Sequence, residues 1–555
     1  MSDIVKIFAL GGLDENGKNM YVIEINNDIF VLEAGMKYPD NTTPGIDLVV
    51  ADIAYLKSNQ YRIKGYIISH GHDDTMGALP YIIKEVPAPI YCTRTTACMI
   101  QECTKRFKQN VKYDFKIIKP TSNVKIADRR FSFFSTTHTI SESCGVAIET
   151  TQGWIVYSGD YIFDVSASAQ HKTDIQALTR IAENDILCLM TDSAAAVKKG
   201  FTAPGHLLTP LIEDRIQSNR GRTFVAIYSQ YFFGIKEVVD CAIKNNKRVA
   251  FYSKDVPTMF DMIDNGRYIN IPEEYKMDIE DVTDDTKDVV IILSGTGIRL
   301  FNLIQKITNP SQETKVNIND TDVFIMAARS VPGIEVEAVE ALDSVYHTGA
   351  KVLNITKKKI SSMHPCSEDL KLLISILKPK YYFPVKGEYK DLIANANVAL
   401  SLNQGMTHND IIVYDNGMVA KFEDGEYKSN QTPVKVGDIL IDGLGLSDIG
   451  SVVINDRTKL SSDGVILLGA TVDMETKEVI AGPDVQMRGL IFIKDDSEDM
   501  VKTIADMYES IVKEVISDDY VDYNESRVII RDRISKYIKK ETGKDPMILS
   551  MIIEA

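Results

Sequence analysis

Ser69-His70-Gly71-His72-Asp73-Asp74-Thr75-Met76-Gly77 is the stretch of sequence that decides the predicted fold. It follows Tyr66-Ile67-Ile68, a short apolar run typical of a buried strand. Two histidines and a carboxylate are therefore delivered at the carboxyl end of a strand, where α/β sheets usually place their chemistry. Zinc favours nitrogen and carboxylate ligands, and imidazoles spaced as His-x-His can turn toward one cation. The alternative is a polar loop whose histidines only bond to the backbone.

An apolar run followed by a polar residue recurs along the first 200 residues, and this recurrence favours a metal site over a plain polar loop. Predicted strands at residues 29–32, 130–134, 154–157 and 187–190 are followed by Glu33, His138, Asp160 and Asp192, respectively. We expect these strand ends to line one edge of a sheet, because a metal centre requires its ligands to converge.

Length, charge and cysteine content set the broad class of the protein. A chain of 555 residues is too long for a single core, so about three domains are expected. No apolar run approaches the length of a membrane span and the first residues have no signal-peptide pattern, which predicts a cytoplasmic protein. Seven scattered cysteines without a Cys-x-x-Cys pair fit a reducing compartment. The net charge of −16 excludes a general polyanion binder.

The alternation of strands and helices changes along the chain and predicts the domain boundaries. The predicted segments are a first domain at 1–205, an inserted parallel α/β domain at 206–360, a return to the first domain at 361–428, a linker at 429–449 and a small α+β domain at 450–555. In the last domain we expect strands near 451–455, 464–472 and 490–493, and helices near 498–516 and 525–542.

Motifs spread over the whole chain resemble the ribonuclease J family. They are the histidine stretch, Gly11-Gly12, Gly17-Lys18-Asn19-Met20, Pro384-Val385 and Gly387-Glu388. The resemblance implies a metallo-β-lactamase αββα sandwich with an inserted β-CASP α/β domain and a C-terminal α+β domain that forms oligomers. It also implies 5′ to 3′ exoribonuclease and endoribonuclease activity in RNA maturation and decay.

The resemblance further implies a set of metal ligands. In the family, a His-x-His-x-Asp-His motif, a later His, a bridging Asp and the His of Pro-x-His-Gly-Glu hold two metal ions that activate a water. Carried over to this chain, the ligands of the first metal are His70, His72, His138 and Asp160. The implied ion is zinc, with manganese or magnesium as alternatives. The alternative for these residues is a hydrogen-bonded cluster without metal.

The second metal site departs from the family pattern. Asp74 matches a ligand, but Thr75 and Lys386 stand where the family has histidines. A protonated lysine is no ligand and repels a dication, so the second site is predicted to be lost. Asp74 and His72 are carried over as residual catalytic residues. An alternative is that Lys386 imitates the missing cation.

Other departures concern the substrate. Glu33 replaces an Asp, and residues 230–234 lack the hydroxyl, amide and guanidinium of the family's phosphate-holding segment. Of the family's His-x-Ser-Gly-His segment, Ser362 and His364 remain, and these two residues with Lys386 are the predicted substrate-binding residues. The departures are most similar to those of the family's second, degenerate paralogue, which partners an active ribonuclease J.

The sequence and the resemblance leave two functions open. The first is a weak or inactive subunit that binds RNA and stabilises an active ribonuclease J paralogue, as a homodimer or hetero-oligomer formed through the C-terminal domain, with no membrane partner. The alternative is a genuine single-metal ribonuclease. A hydrolase of small molecules is disfavoured, because the resemblance implies that the inserted domain closes a long channel.

Several polar residues are predicted to have only structural roles. Asp192 and Ser193 are expected to cap a turn. The basic run at residues 527–540 is expected to be a solvated face or an oligomer contact. Histidines without a partner in the sequence are expected to be surface or core residues; they are His171, His206, His347 and His408.

Overall fold

The computed structural model describes residues 2–39, 43–168, 171–264, 268–331, 333–429, 431–443, 445–446, 451–490, 497–517 and 522–555. The chain divides into two units. The larger unit consists of Met1–Tyr38 and Asp47–Leu446, and the smaller unit consists of Pro39–Ile46 and Ser447–Ala555.

Short strands and few helices make up the first part of the larger unit. The strands are β1 (Val5–Gly11), β2 (Met20–Ile25), β3 (Asp28–Leu32), β4 (Met36–Lys37), β5 (Leu48–Ala51), β6 (Ile63–Ile67), β7 (Ile90–Cys92), β8 (Phe115–Ile117), β9 (Asn123–Ile126), β10 (Arg129–Ser135), β11 (Cys144–Thr150), β12 (Gly153–Tyr157) and β13 (Ile186–Asp192). The helices are α1 (Ala54–Ser58), α2 (Asp73–Met76), α3 (Leu79–Glu85), α4 (Arg94–Arg106) and α5 (Ile175–Ile181).

Regular alternation of helix and strand follows, and the chain then returns to the first domain. The inserted elements are α6 (Thr209–Ser218), β14 (Arg222–Tyr228), α7 (Phe232–Lys244), β15 (Arg248–Phe251), α8 (Asp255–Asp264), β16 (Val289–Gly295), α9 (Ile298–Thr308), β17 (Val323–Met326), α10 (Glu335–His347) and β18 (Lys351–Asn354). The returning elements are α11 (Ser367–Leu377), β19 (Tyr381–Val385), α12 (Tyr389–Ser401), β20 (Ala420–Glu423), β21 (Glu426–Lys428), β22 (Asp438–Asp442) and β23 (Gly445–Leu446).

Two sheets packed face to face form the first domain. One has the strand order β21-β20-β1-β2-β3-β6-β7-β8, and the other has the order β19-β13-β12-β11-β10-β9. Alternate apolar side chains of both sheets meet in one buried core, which includes Ile7, Phe30, Phe131 and Ile155. Helices α3 and α4 pack on the outer side of the first sheet, and α5, α11 and α12 pack on the second. The result is the predicted αββα sandwich.

The inserted segment forms a separate parallel sheet with the strand order β15-β16-β14-β17-β18. Its strands are apolar on both faces because helices cover both sides of a parallel sheet. Helices α7 and α8 share a core with the first domain, whereas α9 and α10 pack on the opposite face. The inserted domain therefore shares a continuous apolar core with the sandwich.

The smaller unit is an α+β fold with one three-stranded sheet. Its elements are α13 (Ser451–Ser462), β24 (Val465–Asp473), β25 (Glu478–Arg488), α14 (Ser497–Ile516), α15 (Tyr523–Thr542) and β26 (Met547–Glu554). The strand order is β25-β24-β26, and α14 and α15 cover one face through a core that includes Leu468, Tyr508 and Ile534.

Two expectations about the last 130 residues are corrected, and two strands there were not predicted. The predicted strand near 451–455 is the first part of helix α13, because a short β-branched run is a weak signal that its context overrides. Strands β25 and β26 were both missed. Gly482 and Pro483 interrupt the pattern of β25, and proline is tolerated there because β25 is an edge strand. The predicted linker contains β22, which pairs with β5 of the first domain. Residues 491–493 lie outside the described residues.

Candidate metal centre

The histidine stretch leaves β6 and turns at once into α2. Thr75 holds this turn, since its hydroxyl donates to the carbonyls of His70 (3.0 Å) and His72 (2.9 Å). The loop after β3 packs closely against it, because a Cβ at Gly35 would lie 1.7 Å from the carbonyl oxygen of Asp74. Only glycine permits this approach. The side chains of the stretch are therefore fixed by backbone contacts on both sides.

Four buried side chains converge at this point, and they are the four predicted ligands of the first metal, His70, His72, His138 and Asp160. His72 Nδ1 lies 3.1 Å from His70 Nε2 and 3.2 Å from His138 Nε2. Asp160 Oδ2 lies 3.4 Å from His70 Nε2 and 3.5 Å from His138 Nε2. Ligands about 2.05 Å from a tetrahedral zinc lie about 3.3 Å from one another. The spacing therefore fits one tetrahedral ion.

Each histidine is held through the ring nitrogen that faces away from the cluster. His138 Nδ1 donates to the carbonyl of Met363 over 2.8 Å, which leaves the lone pair of Nε2 toward the cluster. His70 Nδ1 lies 2.8 Å from Ser69 Oγ, and His72 Nε2 lies 2.9 Å from Thr139 Oγ1. Such outer contacts are typical of metal-binding histidines because they set the tautomer and the ring orientation.

The charge state of the cluster also suits a cation. Burial lowers the pKa of His70 to about 3 and lowers the pKa of His72 and of His138, so all three imidazoles are neutral near pH 7. Asp160 is 1 % exposed, and its Oδ1 is buried without a hydrogen-bond partner among the described residues. An unpaired buried carboxylate oxygen is costly unless a cation binds it. The four residues thus fit a divalent metal such as zinc.

Lys386 occupies the place beside this cluster where a second cation would lie. Its Nζ is 2.5 Å from Asp160 Oδ2 and 2.8 Å from Asp74 Oδ2, and the residue is 6 % exposed. Burial disfavours the charged forms of Asp74, Asp160 and Lys386. The attraction between the ammonium and the two carboxylates outweighs burial, so the pKa of each carboxyl is lowered and the pKa of the ammonium is raised. Asp74 therefore pairs with Lys386 and is not part of the four-residue cluster.

Asp192 was expected only to cap a turn, and it does accept the N–H of Ala194 at 2.8 Å through Oδ1. Its Oδ2 also accepts from His364 Nδ1 at 2.7 Å. Burial opposes protonation of His364, but the carboxylates of Asp192 and Asp160 outweigh it and raise the pKa of the imidazole. Sequence reasoning missed this pair because the two residues are 172 positions apart.

Glu33 lies behind the cluster at the end of β3. Its Oε2 accepts the N–H of Ser69 at 3.2 Å, and the residue is fully buried in the left-handed backbone region, with φ 64°. Burial raises the pKa of Glu33 from 4.5 to about 8, although contacts with Ser69 lower it. The side chain is therefore a neutral acid at pH 7.

We expect Glu33→Gln to remove a pH-dependent cost to stability. A raised pKa in the folded state stabilises the protein most below pH 4.5, and this contribution is lost as the pH rises toward 8. The melting temperature of Glu33→Gln should therefore match the parent at pH 5 and exceed it at pH 8. Trp154, the single tryptophan, reports unfolding of the sandwich by fluorescence. If the melting temperature of Glu33→Gln exceeded that of the parent by the same amount at pH 5 and pH 8, the raised pKa of Glu33 would be contradicted.

The other residues that the sequence analysis named differ in their burial and in their contacts with the cluster. Ser362 and His364 are partly exposed in the segment between β18 and α11 that also supplies the Met363 carbonyl. His347 and His408 are exposed, as expected, and His206 is buried. His171 is a buried residue, as expected, and its Nδ1 donates to the backbone carbonyl of His138 at 2.9 Å.

Comparisons with known proteins agree with the fold. Residues 13–184 match the metallo-beta-lactamase superfamily. A crystal structure of a protein of unknown function from Enterococcus faecalis V583 superposes with a TM-score of 0.52 at 12% identity, covering 76% of this chain and 100% of that chain, which shows the fold alone. The sandwich and its histidine and aspartate cluster define a metallo-β-lactamase-fold protein.

Further matches extend to the rest of the chain. Residues 220–345 match the ribonuclease J beta-CASP domain and residues 452–555 match the ribonuclease J C-terminal domain. The chain is 32% identical to ribonuclease J2 of Bacillus subtilis (strain 168) and 32% identical to ribonuclease J 2 of Staphylococcus aureus (strain MRSA252), in each case over 99% of this chain and 98% of the relative. The chain belongs to the ribonuclease J family. Among its described helices, none is both long and apolar enough to cross a membrane.

Proposed function

We propose that this chain is a subunit of RNA maturation and decay, with weak or no nuclease activity of its own, that binds RNA and stabilises an active ribonuclease J paralogue. The observation that carries the proposal is the salt bridge of Lys386 with Asp74 and Asp160. A second divalent ion at that place would meet an ammonium already bound to both carboxylates. A two-metal mechanism that clamps the attacking and leaving oxygens has no room there.

The neighbouring segment also supports a loss of catalysis. Residues 230–234 carry no cationic side chain, and Gln230 Nε2 donates to Asp73 at 3.2 Å instead of facing a phosphate. Phe232 and Phe233 are buried in apolar clusters. The segment therefore contributes packing where the resemblance implies that a terminal phosphate is held.

Two observations favour the alternative, a 5′ to 3′ exoribonuclease and endoribonuclease that works with a single metal. The tetrahedral cluster fits an ion, and the Asp192–His364 pair places an oriented imidazole 3.8 Å from Asp160. A divalent ion at the cluster would supply a Lewis acid for phosphodiester hydrolysis. In this alternative, His72 orients the site, His364 donates a proton, and Ser362 contacts the substrate.

The test of the chain alone is degradation of a 5′-monophosphorylated, 3′-labelled RNA with zinc, manganese or magnesium. We expect negligible and equal rates for the parent and for His72→Ala, because the second metal site is filled by Lys386. A parent rate that His72→Ala abolishes would show an enzyme and would support the single-metal alternative. His408→Ala, an exposed histidine away from the site, is the matched control.

The test of the subunit role uses the complex with an active ribonuclease J. We expect the His72→Ala/Asp74→Ala double variant to leave the activity of the complex unchanged, since the active paralogue supplies the chemistry. Removal of residues 447–555 is expected to abolish assembly, because we assign homodimer and hetero-oligomer contacts to the smaller unit. A large loss of activity in the assembled double variant would contradict the proposal.

A further inference from the structure

The segment His138-Thr139 carries one candidate ligand and supports a second. His138 Nε2 faces the cluster, while its Nδ1 donates to the Met363 carbonyl at 2.8 Å. Thr139 Oγ1 lies 2.9 Å from His72 Nε2. Met363 belongs to the crossing by which the chain leaves the inserted domain. Movement of this short segment would therefore displace two ligands at once.

The inserted domain makes one direct hydrogen bond to the same segment and reaches it a second time through His171, a residue of the sandwich. The backbone N–H of Phe233, in the first turn of α7, donates to the Thr139 carbonyl at 2.9 Å. His171 Nδ1 donates to the His138 carbonyl at 2.9 Å, and His171 Nε2 lies 2.5 Å from the hydroxyl of Tyr268. Phe233 and Tyr268 are both residues of the inserted domain. The Thr139 carbonyl thus has its donor only while the inserted domain is docked, and docking also places the Tyr268 hydroxyl against His171, the donor to the His138 carbonyl.

Apolar packing joins these contacts into one unit. The Phe233 ring is buried with Ile162 and Met363, and its centroid lies 5.1 Å from that of His171 in an edge contact. Undocking the inserted domain would break this packing together with the hydrogen bonds. Buried carbonyls that lose their donors are costly, so the segment has one favoured arrangement, the one that aims His138 at the cluster.

We propose that a metal ion held by His70, His72, His138 and Asp160 acts as a clamp that keeps the inserted domain docked on the sandwich, with Thr139, His171, Phe233 and Tyr268 as positioning residues. This deepens the proposed function and rests on it, since it gives the single metal a structural role in a subunit without catalysis. Linkage requires reciprocity: metal binding favours docking by the same factor by which docking favours metal binding.

The first experiment measures hydrogen exchange of the full-length chain with and without one equivalent of zinc. We expect zinc to slow exchange in peptides covering residues 226–245, because the Phe233 amide itself bonds across to Thr139. Peptides covering 360–366 should respond in the same way. Helix α10, in the same domain but distant in sequence from these contacts, should not respond, and neither should any peptide of His72→Ala.

The second experiment measures zinc affinity by competition with a chelating dye. Thr139→Val is expected to weaken zinc about 10–100-fold, the usual effect of removing the outer partner of a metal-binding histidine. Tyr268→Phe removes no contact to a candidate ligand and is expected to weaken zinc about 5-fold or more, because it removes the bond between the inserted domain and His171. Tyr275→Phe removes a surface hydroxyl of the inserted domain that bonds to Asn246, and it should leave affinity unchanged.

Failure of the clamp and failure of the proposed function are distinguishable. Zinc bound at one equivalent with unchanged exchange at 226–245, or unchanged affinity in Tyr268→Phe, would overturn the clamp and leave the subunit role untouched. RNA degradation that His72→Ala abolishes would overturn the subunit role. Slowed exchange together with weakened zinc in Tyr268→Phe would support the clamp whatever the RNA assay shows.

Discussion

Replacing Lys386 by methionine is expected to lower the free energy of unfolding of the larger unit by about 3–5 kcal/mol, the usual result of removing one partner of a buried ion pair. The ammonium is nearly fully buried between Asp74 and Asp160, so its loss leaves two carboxylates facing each other without a counter-charge. Urea unfolding followed by Trp154 fluorescence measures the change. Millimolar manganese should restore part of the stability of the variant, because carboxylate oxygens suit this ion.

Lys380→Met is the matched control for this substitution. Lys380 pairs with Glu426 at 2.9 Å on the surface, where an ion pair contributes about 0–1 kcal/mol. The control should therefore unfold almost like the parent and show no response to manganese. Equal stability of Lys386→Met and the parent would contradict the view that the lysine substitutes for the second metal.

Replacing His138 by alanine is expected to lower zinc affinity by more than about 100-fold, since even the outer partners of such histidines are worth about 10–100-fold. His138 supplies one of the four converging atoms and is 1 % exposed. Metal analysis of the purified chain should give one zinc for the parent and none for the variant. The variant also removes the donor to the Met363 carbonyl, so its folding is checked by Trp154 fluorescence.

Two controls accompany the zinc measurement on His138→Ala. His408→Ala, an exposed histidine, should retain one zinc. The parent purified in the presence of a chelator should lose zinc and regain it on addition, without a second equivalent binding at Lys386. A parent that never binds zinc, with His138→Ala indistinguishable from it, would favour a hydrogen-bonded cluster without metal.

The convergence of the four residues of the candidate metal centre could be predicted from the sequence because they follow apolar runs that form strands, and the resemblance implied that they bind a metal. Two points required correction. The strand ends do not line one sheet, since β3 and β6 belong to one sheet and β10, β12 and β13 to the other. They converge because the two sheets face each other. The helix α13 and the edge strand β25 were also misjudged, because local propensity is a weak guide where tertiary packing decides.

The sequence by itself determined the family, the four residues of the candidate metal centre and the replacement of two family histidines by Thr75 and Lys386. Only the tertiary structure decided what Lys386 contacts, which group orients His138, and that Asp192 holds His364. The physical reason is separation along the chain. Lys386 lies 226 positions from Asp160, and the Met363 carbonyl lies 225 positions from His138. Local spacing indicates which side chains leave a strand together, whereas contacts between distant segments exist only once the cores have packed.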